Sequence, residues 1–153
     1  MLFQLGRKLG FDAGKEIESV DHAWIDVVWF DPRFNFGPRN DSGTVSRVHG
    51  WEHPVLPVAG FEIEAHAGAK PVKGSAMNLA TLGAALNVVV LTEENLPGIR
   101  KASKGRETAT DADIWKILRK RVLEWISETR VNTRIVVMTE PEVKAWAKSN
   151  DLV

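Results

Sequence analysis

Pro57-Val-Ala-Gly-Phe-Glu-Ile-Glu-Ala-His66 reads as a strand. Phe61, Ile63 and Ala65 alternate with Glu62, Glu64 and His66, the period-two pattern of a strand with one apolar and one polar face. Three metal-capable side chains thus share a face. Either they converge on one cation, or they form the solvated outer face of an antiparallel strand.

A further acid bears on that choice. Asp26 stands in Ala23-Trp-Ile-Asp-Val-Val-Trp-Phe30, a β-branched and aromatic run too apolar on both faces for a one-sided surface strand. A carboxylate there is desolvated, which is costly unless it is paired or coordinated. Arg47 or Lys73 is a candidate ion-pair partner, and a divalent cation shared with Glu62 is the alternative.

Asp26, followed on a later strand by Phe61-Glu62-Ile63-Glu64, resembles the PD-(D/E)xK nuclease superfamily, the restriction-endonuclease-like fold. The family pattern is an Asp on one strand and Glu-x-Lys on the next, jointly holding Mg²⁺. Asp26 matches the first ligand and Glu62 the second. Glu64 falls where the family usually has Lys, a departure shared with a few type II restriction enzymes. The resemblance implies Mg²⁺ (with Mn²⁺ as a substitute), a DNA partner and phosphodiester hydrolysis. It also implies that an acid of the first helix joins the metal site, and Glu16 is the candidate.

Composition sets the outer bounds. The 153 residues suit one domain spanning 1–153, and 44% hydrophobic with 26% charged residues is ordinary for a globular chain. No apolar run approaches the roughly 18 residues of a membrane span, and Met1-Leu-Phe-Gln-Leu-Gly-Arg-Lys8 lacks the parts of a signal peptide. Zero cysteines exclude disulfides and thiolate metal sites. An intracellular, cytoplasmic protein is the expectation. Lys plus Arg equals Asp plus Glu at 20 each, so no global field draws the chain to nucleic acid. Basic residues do cluster locally: Arg100, Lys101, Lys104 and Arg106 crowd one segment, and Lys116, Arg119, Lys120 and Arg121 follow on a helix. Such clusters are either phosphate contacts or solvated faces.

Along the chain, Leu2, Leu5, Leu9, Ala13 and Ile17 predict a helix over about 2–18, despite the cost of Gly6, Gly10 and Gly14. Asp31–Gly43 reads as a turn or loop, and Thr44–Val48 as a short strand. His49 and His53 lack further His or Cys partners for zinc, so that stretch reads as a loop anchored by Trp51. Gly68 opens a helix running to about Ala85, with Met77, Leu79, Ala80 and Ala84 available for packing. Lys70 and Lys73 come just past the acidic strand, and either could replace the lysine missing at position 64. Ser75, near the helix start, is a candidate phosphate contact. Leu86–Leu91 is a buried strand, Thr92–Thr108 a flexible loop, and Thr110-Asp-Ala-Asp113 the capped start of a helix ending near Thr129. Thr133–Met138 is another buried strand, and Thr139-Glu-Pro-Glu142 opens a final helix. Six tryptophans, Trp24, Trp29, Trp51, Trp115, Trp125 and Trp146, fall mostly on apolar faces, with Trp51 the one candidate base-stacking platform.

The fold class is therefore α/β, a central mixed β-sheet flanked by helices. Residues 2–92 follow the αβββαβ order of the resembling family, and a helix–strand–helix extension completes the chain. As a nuclease, the chain would use Asp26, Glu62 and Glu64, with Lys70 or Lys73 offsetting charge on the phosphate. Two rivals stand beside it. One is a catalytically inactive nucleic-acid-binding or assembly domain of the same fold. The other is an unrelated small-molecule enzyme with a Glu62, Glu64, His66 metal site, although no Gly-rich phosphate loop or nucleophile elbow accompanies it. A core this small, with no separate recognition domain, points to a homodimer or a part of a larger assembly.

Overall fold

Asp12–Glu18 and the β-branched, aromatic run Trp24–Phe30 form β1 and β2, which pair antiparallel, and β2 pairs antiparallel with β3 (Pro57–Glu64). The chain crosses through α2 (Ala69–Leu82) to β4 (Leu86–Leu91), which lies parallel to β3. After α3 (Asn95–Ala102) and α4 (Asp111–Glu128), β5 (Ile135–Thr139) adds to β4 in parallel, and α5 (Glu140–Ser149) ends the order that α1 (Leu2–Lys8) began. The five-stranded mixed sheet thus runs β1-β2-β3-β4-β5. This computed structural model describes residues 1–19, 23–34, 56–102 and 109–152. The expected Thr44–Val48 strand, Arg47, the His49 and His53 pair, Trp51, Lys104 and Arg106 lie outside them.

Helices cover both faces of the sheet. On one side Val72, Leu79 and Leu82 of α2 and Leu118 and Val122 of α4 pack on Val28, Phe30, Val89, Leu91 and Val137. On the other, Leu2 and Leu5 of α1 and Val143 of α5 pack on Val27, Trp29, Phe61, Val88 and Val90. Each fully buried Leu or Phe contributes roughly 1.5–3 kcal/mol. Gly60 lets α2 approach β3, because a Cβ there would stand 2.5 Å from a Leu82 methyl and 3.0 Å from one of Leu79. Trp29 roofs the second core, stacked on Phe11 at 5.6 Å and tilted against Phe61 and Trp146. Both late helices start at capping boxes, Thr110 with Asp113 and Thr139 with Glu142. Among the described residues no helix is long and apolar enough to cross a membrane.

Two expected elements change. The helix predicted over 2–18 stops at Lys8, and residues 12–18 are a strand. Gly10, at φ 87°, takes the left-handed conformation just past a last turn carrying Arg7 and Lys8, which is how helices commonly end. The loop expected over 92–108 contains α3. Pro97 sits in its first turn, where a missing N–H costs nothing, and Gly98 does not break it. Two packing assignments also reverse: Trp24 is 57% exposed and Met77 59% exposed.

Candidate active site

The acids gather where β2 and β3 part. The antiparallel ladder between them begins at Val27↔Phe61. One residue further along, Asp26 and Glu62 come opposite each other, and the backbone N–H of Ile63 donates to Asp26 Oδ2 at 2.6 Å. A side-chain oxygen thus takes a strand donor that the ladder does not use. In the β1–β2 register the corresponding row holds Glu16, between the pairs Lys15↔Val27 and Ile17↔Ile25, at φ 49°. Glu16, Asp26 and Glu62 therefore share one row across three strands. Glu16 reaches it from a strand, not from the first helix.

The expected polar face of β3 is inverted in exposure. Glu62 and Glu64 are only 7% and 8% exposed, while apolar Ile63 between them is 43% exposed. The cause is α2, which covers the glutamate side. Asn78 Nδ2 donates to Glu62 Oε1 at 3.0 Å, and the Ser75 hydroxyl donates to Glu64 Oε1 at 2.5 Å. Asn78 also donates to the Trp24 carbonyl at 3.4 Å, tying the start of β2 to the same amide. Ser75 thus serves a carboxylate, not the phosphate proposed for it. His66 lies past the end of the strand and is exposed, so the alternation does not carry it to the acids.

Burial pushes the Glu62 carboxyl from its ordinary 4.5 up to about 8, opposed by the Asn78 hydrogen bond and reinforced by the negative charges of Asp26 and Glu64. Among the described residues no Lys, Arg or His forms an ion pair with Asp26, Glu62 or Glu64. Lys73, a candidate partner for Asp26 and for the site, instead reaches α4 and bonds Glu128 at 2.5 Å. Lys70 is exposed at the start of α2.

Asn95 is a residue that sequence reading missed. Buried at the start of α3, it donates through Nδ2 to the carbonyls of Glu64 at 2.7 Å and Thr92 at 3.0 Å, and its Oδ1 accepts from Ala67 N–H at 2.6 Å. It fixes the backbone on both sides of the turn that follows Glu64. Its only sequence signal is an Asn beside a helix start, which is common for other reasons.

On the α1 and α5 side, a groove of about 850 Å³ opens at the C-terminal ends of β3 and β4. Asp26, Glu16, Ile63 and Thr92 line it, with Phe3 and Lys15 at the α1 and β1 edge. Ligands of open α/β sheets bind in such crevices beyond the strand ends. The basic cluster divides: Arg100 pairs with Asp111, Arg119 pairs with Glu142, and Lys101 is exposed at the end of α3. Two of its six described members, Arg100 and Arg119, are therefore neutralised within the fold.

The donors suit a hard cation in part. Among the described residues no three His, Cys, Asp or Glu side chains are arranged to hold a metal ion. Mg²⁺, however, keeps several waters and is commonly bound through one or two carboxylates. Asp26 and Glu62, adjacent and without a counter-cation, meet that lesser requirement. No protein-family model, curated protein or solved structure matches this chain.

Proposed function

We propose that the chain is a metal-dependent DNA endonuclease of the PD-(D/E)xK kind, hydrolysing phosphodiester bonds. The observation that carries the proposal is the meeting of half-buried Asp26 with buried Glu62 and Glu64 at the parting of β2 and β3, without a cationic partner among the described residues. Three acids so placed raise each other's cost of ionisation unless a cation joins them.

In this reading Asp26 and Glu62 hold Mg²⁺, with Glu16 in the same row. When bound, the ion supplies Lewis acidity towards a phosphodiester and towards water. Glu64, its rotamer fixed by Ser75, orients or deprotonates the attacking water. That water forms a new P–O bond as the bond to the leaving sugar oxygen breaks, and solvent returns a proton to the leaving group. Asn78 keeps Glu62 turned towards Asp26, and Asn95 keeps the end of β3 from shifting. Glu62 must lose a proton to act as a ligand, so cation affinity rises with pH up to about 8.

Supercoiled plasmid and single-stranded DNA incubated with Mg²⁺, Mn²⁺ or EDTA test the proposal, wild type beside Glu62→Gln. Nicking that needs the metal and falls to background in the variant is the expected outcome. Folded wild-type protein that retains DNA without cutting it would instead support the inactive binding domain.

A further inference from the structure

Among the described residues the sheet ends in β1 on one side and β5 on the other, and the two edges are built differently. β1 carries Asp12, Lys15, Glu16 and Glu18 along its length, and Glu16 leaves regular strand geometry at φ 49°. Charges and an irregular backbone are how an edge strand is kept from pairing with another chain. β5 is Ile135-Val-Val-Met-Thr139, with no charge and no proline, and its register with β4 runs unbroken from Asn87↔Ile135 to Leu91↔Thr139. Ile135, Val136 and Met138 are only half-buried. Among the described residues no backbone bond beyond the β4 ladder reaches Ile135, Val136, Val137 or Met138.

The edge is also complementary to itself. Alternate residues of an edge strand turn both N–H and C=O outward, so a second copy laid antiparallel must set outward groups opposite outward groups. Centring the pair on Val137 does this: Ile135 meets Thr139 across the two copies, Val136 meets Met138, and Val137 meets its own counterpart. The same register sets Arg134 of each copy opposite Glu140 of the other. Arg134 is exposed and makes no ion pair among the described residues. Glu140 bonds Lys144 through Oε1 and the Glu93 N–H through Oε2, both at 2.9 Å, which leaves each oxygen room for a further donor. A strand with a basic start and an acidic end complements its own copy only when the two run antiparallel. In parallel, Arg134 would lie beside Arg134.

We propose that β5 pairs antiparallel with β5 of a second copy, joining the two five-stranded sheets into one about a two-fold axis at Val137. So short a strand gives a small interface, and dissociation in the micromolar range is expected. The inference is independent of the nuclease reading.

Sedimentation equilibrium of the full chain, from micromolar to submillimolar and without DNA or metal, tests the proposal. Wild type should show a reversible monomer–dimer equilibrium. Arg134→Glu, which places like charges opposite each other at both ends of the pairing, should weaken it roughly tenfold, with an unchanged circular dichroism spectrum. The register is tested separately. The chain has no cysteine, so Val137→Cys under mild oxidation should give a disulfide-linked dimer across the axis. Ile135→Cys, about 13 Å from its counterpart in this register, should not. Wild type that stays monomeric at every concentration overturns the proposal and leaves the edge to an extended segment of some other protein. A dimer indifferent to Arg134→Glu overturns it as well. So does a dimer that fails to link through Val137→Cys, or that links through Ile135→Cys as readily, because its contact then lies elsewhere than the paired strands.

Discussion

The same two strands behave differently at their two ends. From Val27 to Phe30, β2 pairs with β3 in a ladder that is apolar on both faces, with Gly60 pressed under Leu79 and Leu82. Beyond Phe61 the ladder ends, a carboxylate takes the Ile63 N–H, and two buried glutamates lie under polar residues of α2. One half lowers the free energy of the fold. The other raises it, because like charges are gathered where water is scarce. Stability and chemistry are thus divided along the length of one strand pair.

The largest way to sharpen that contrast is pH. Folded, Glu62 keeps its proton up to about 8, and unfolded it releases it near 4.5. Between those values the folded state binds more protons, so stability falls as pH rises. The stabilising contribution is whole below 4.5 and lost as pH passes 8. At about 1.4 kcal/mol per pKa unit, the upper limit is on the order of 5 kcal/mol. Glu62→Gln keeps an acceptor for Asn78 and removes the charge. It should melt higher than wild type at pH 8.5 without metal, and should lose the wild type's thermal gain on adding Mg²⁺. Equal melting curves with and without Mg²⁺ in wild type would contradict the assignment of Glu62 as a ligand.

Gly60→Ala probes the apolar half. Its methyl would push into Leu82 and Leu79, and overpacking of this kind costs about 1–3 kcal/mol. Chemical denaturation should show that loss with the response to Mg²⁺ preserved. A loss of Mg²⁺ response would mean that the two halves are not separable.

Ser75→Ala is the smallest expected change. It takes a donor from the buried Glu64 carboxylate, at a cost of about 1–2 kcal/mol, and should lower cleavage more than it lowers DNA binding. Equal losses in both would assign Ser75 to holding the backbone of α2 alone.

The sheet and the acids were legible in the sequence for different reasons. Leu86–Leu91 matches β4 at both ends, because an apolar run of that length bounded by turns has few other solutions. Asp26 and Glu62 stood out because a carboxylate in an apolar strand is costly. The first helix was over-extended because Ala13 and Ile17 happen to continue the spacing of Leu2, Leu5 and Leu9 into β1. What decides that boundary is the backbone angle at Gly10 together with pairing to β2, a tertiary effect. Asn78, Asn95 and the true partners of Ser75 and Lys73 were not legible. A hydrogen bond between elements tens of residues apart leaves no periodic trace in either of them.

The Ile63 amide offers a use of its own. Its proton is held by the side chain of Asp26, not by a strand carbonyl. Hydrogen–deuterium exchange at that single site therefore tracks the state of one carboxylate oxygen. An ion or proton that draws Asp26 away frees the amide to exchange. Occupancy of the acidic cluster can then be read from one backbone position, in a protein that cleaves nothing during the measurement.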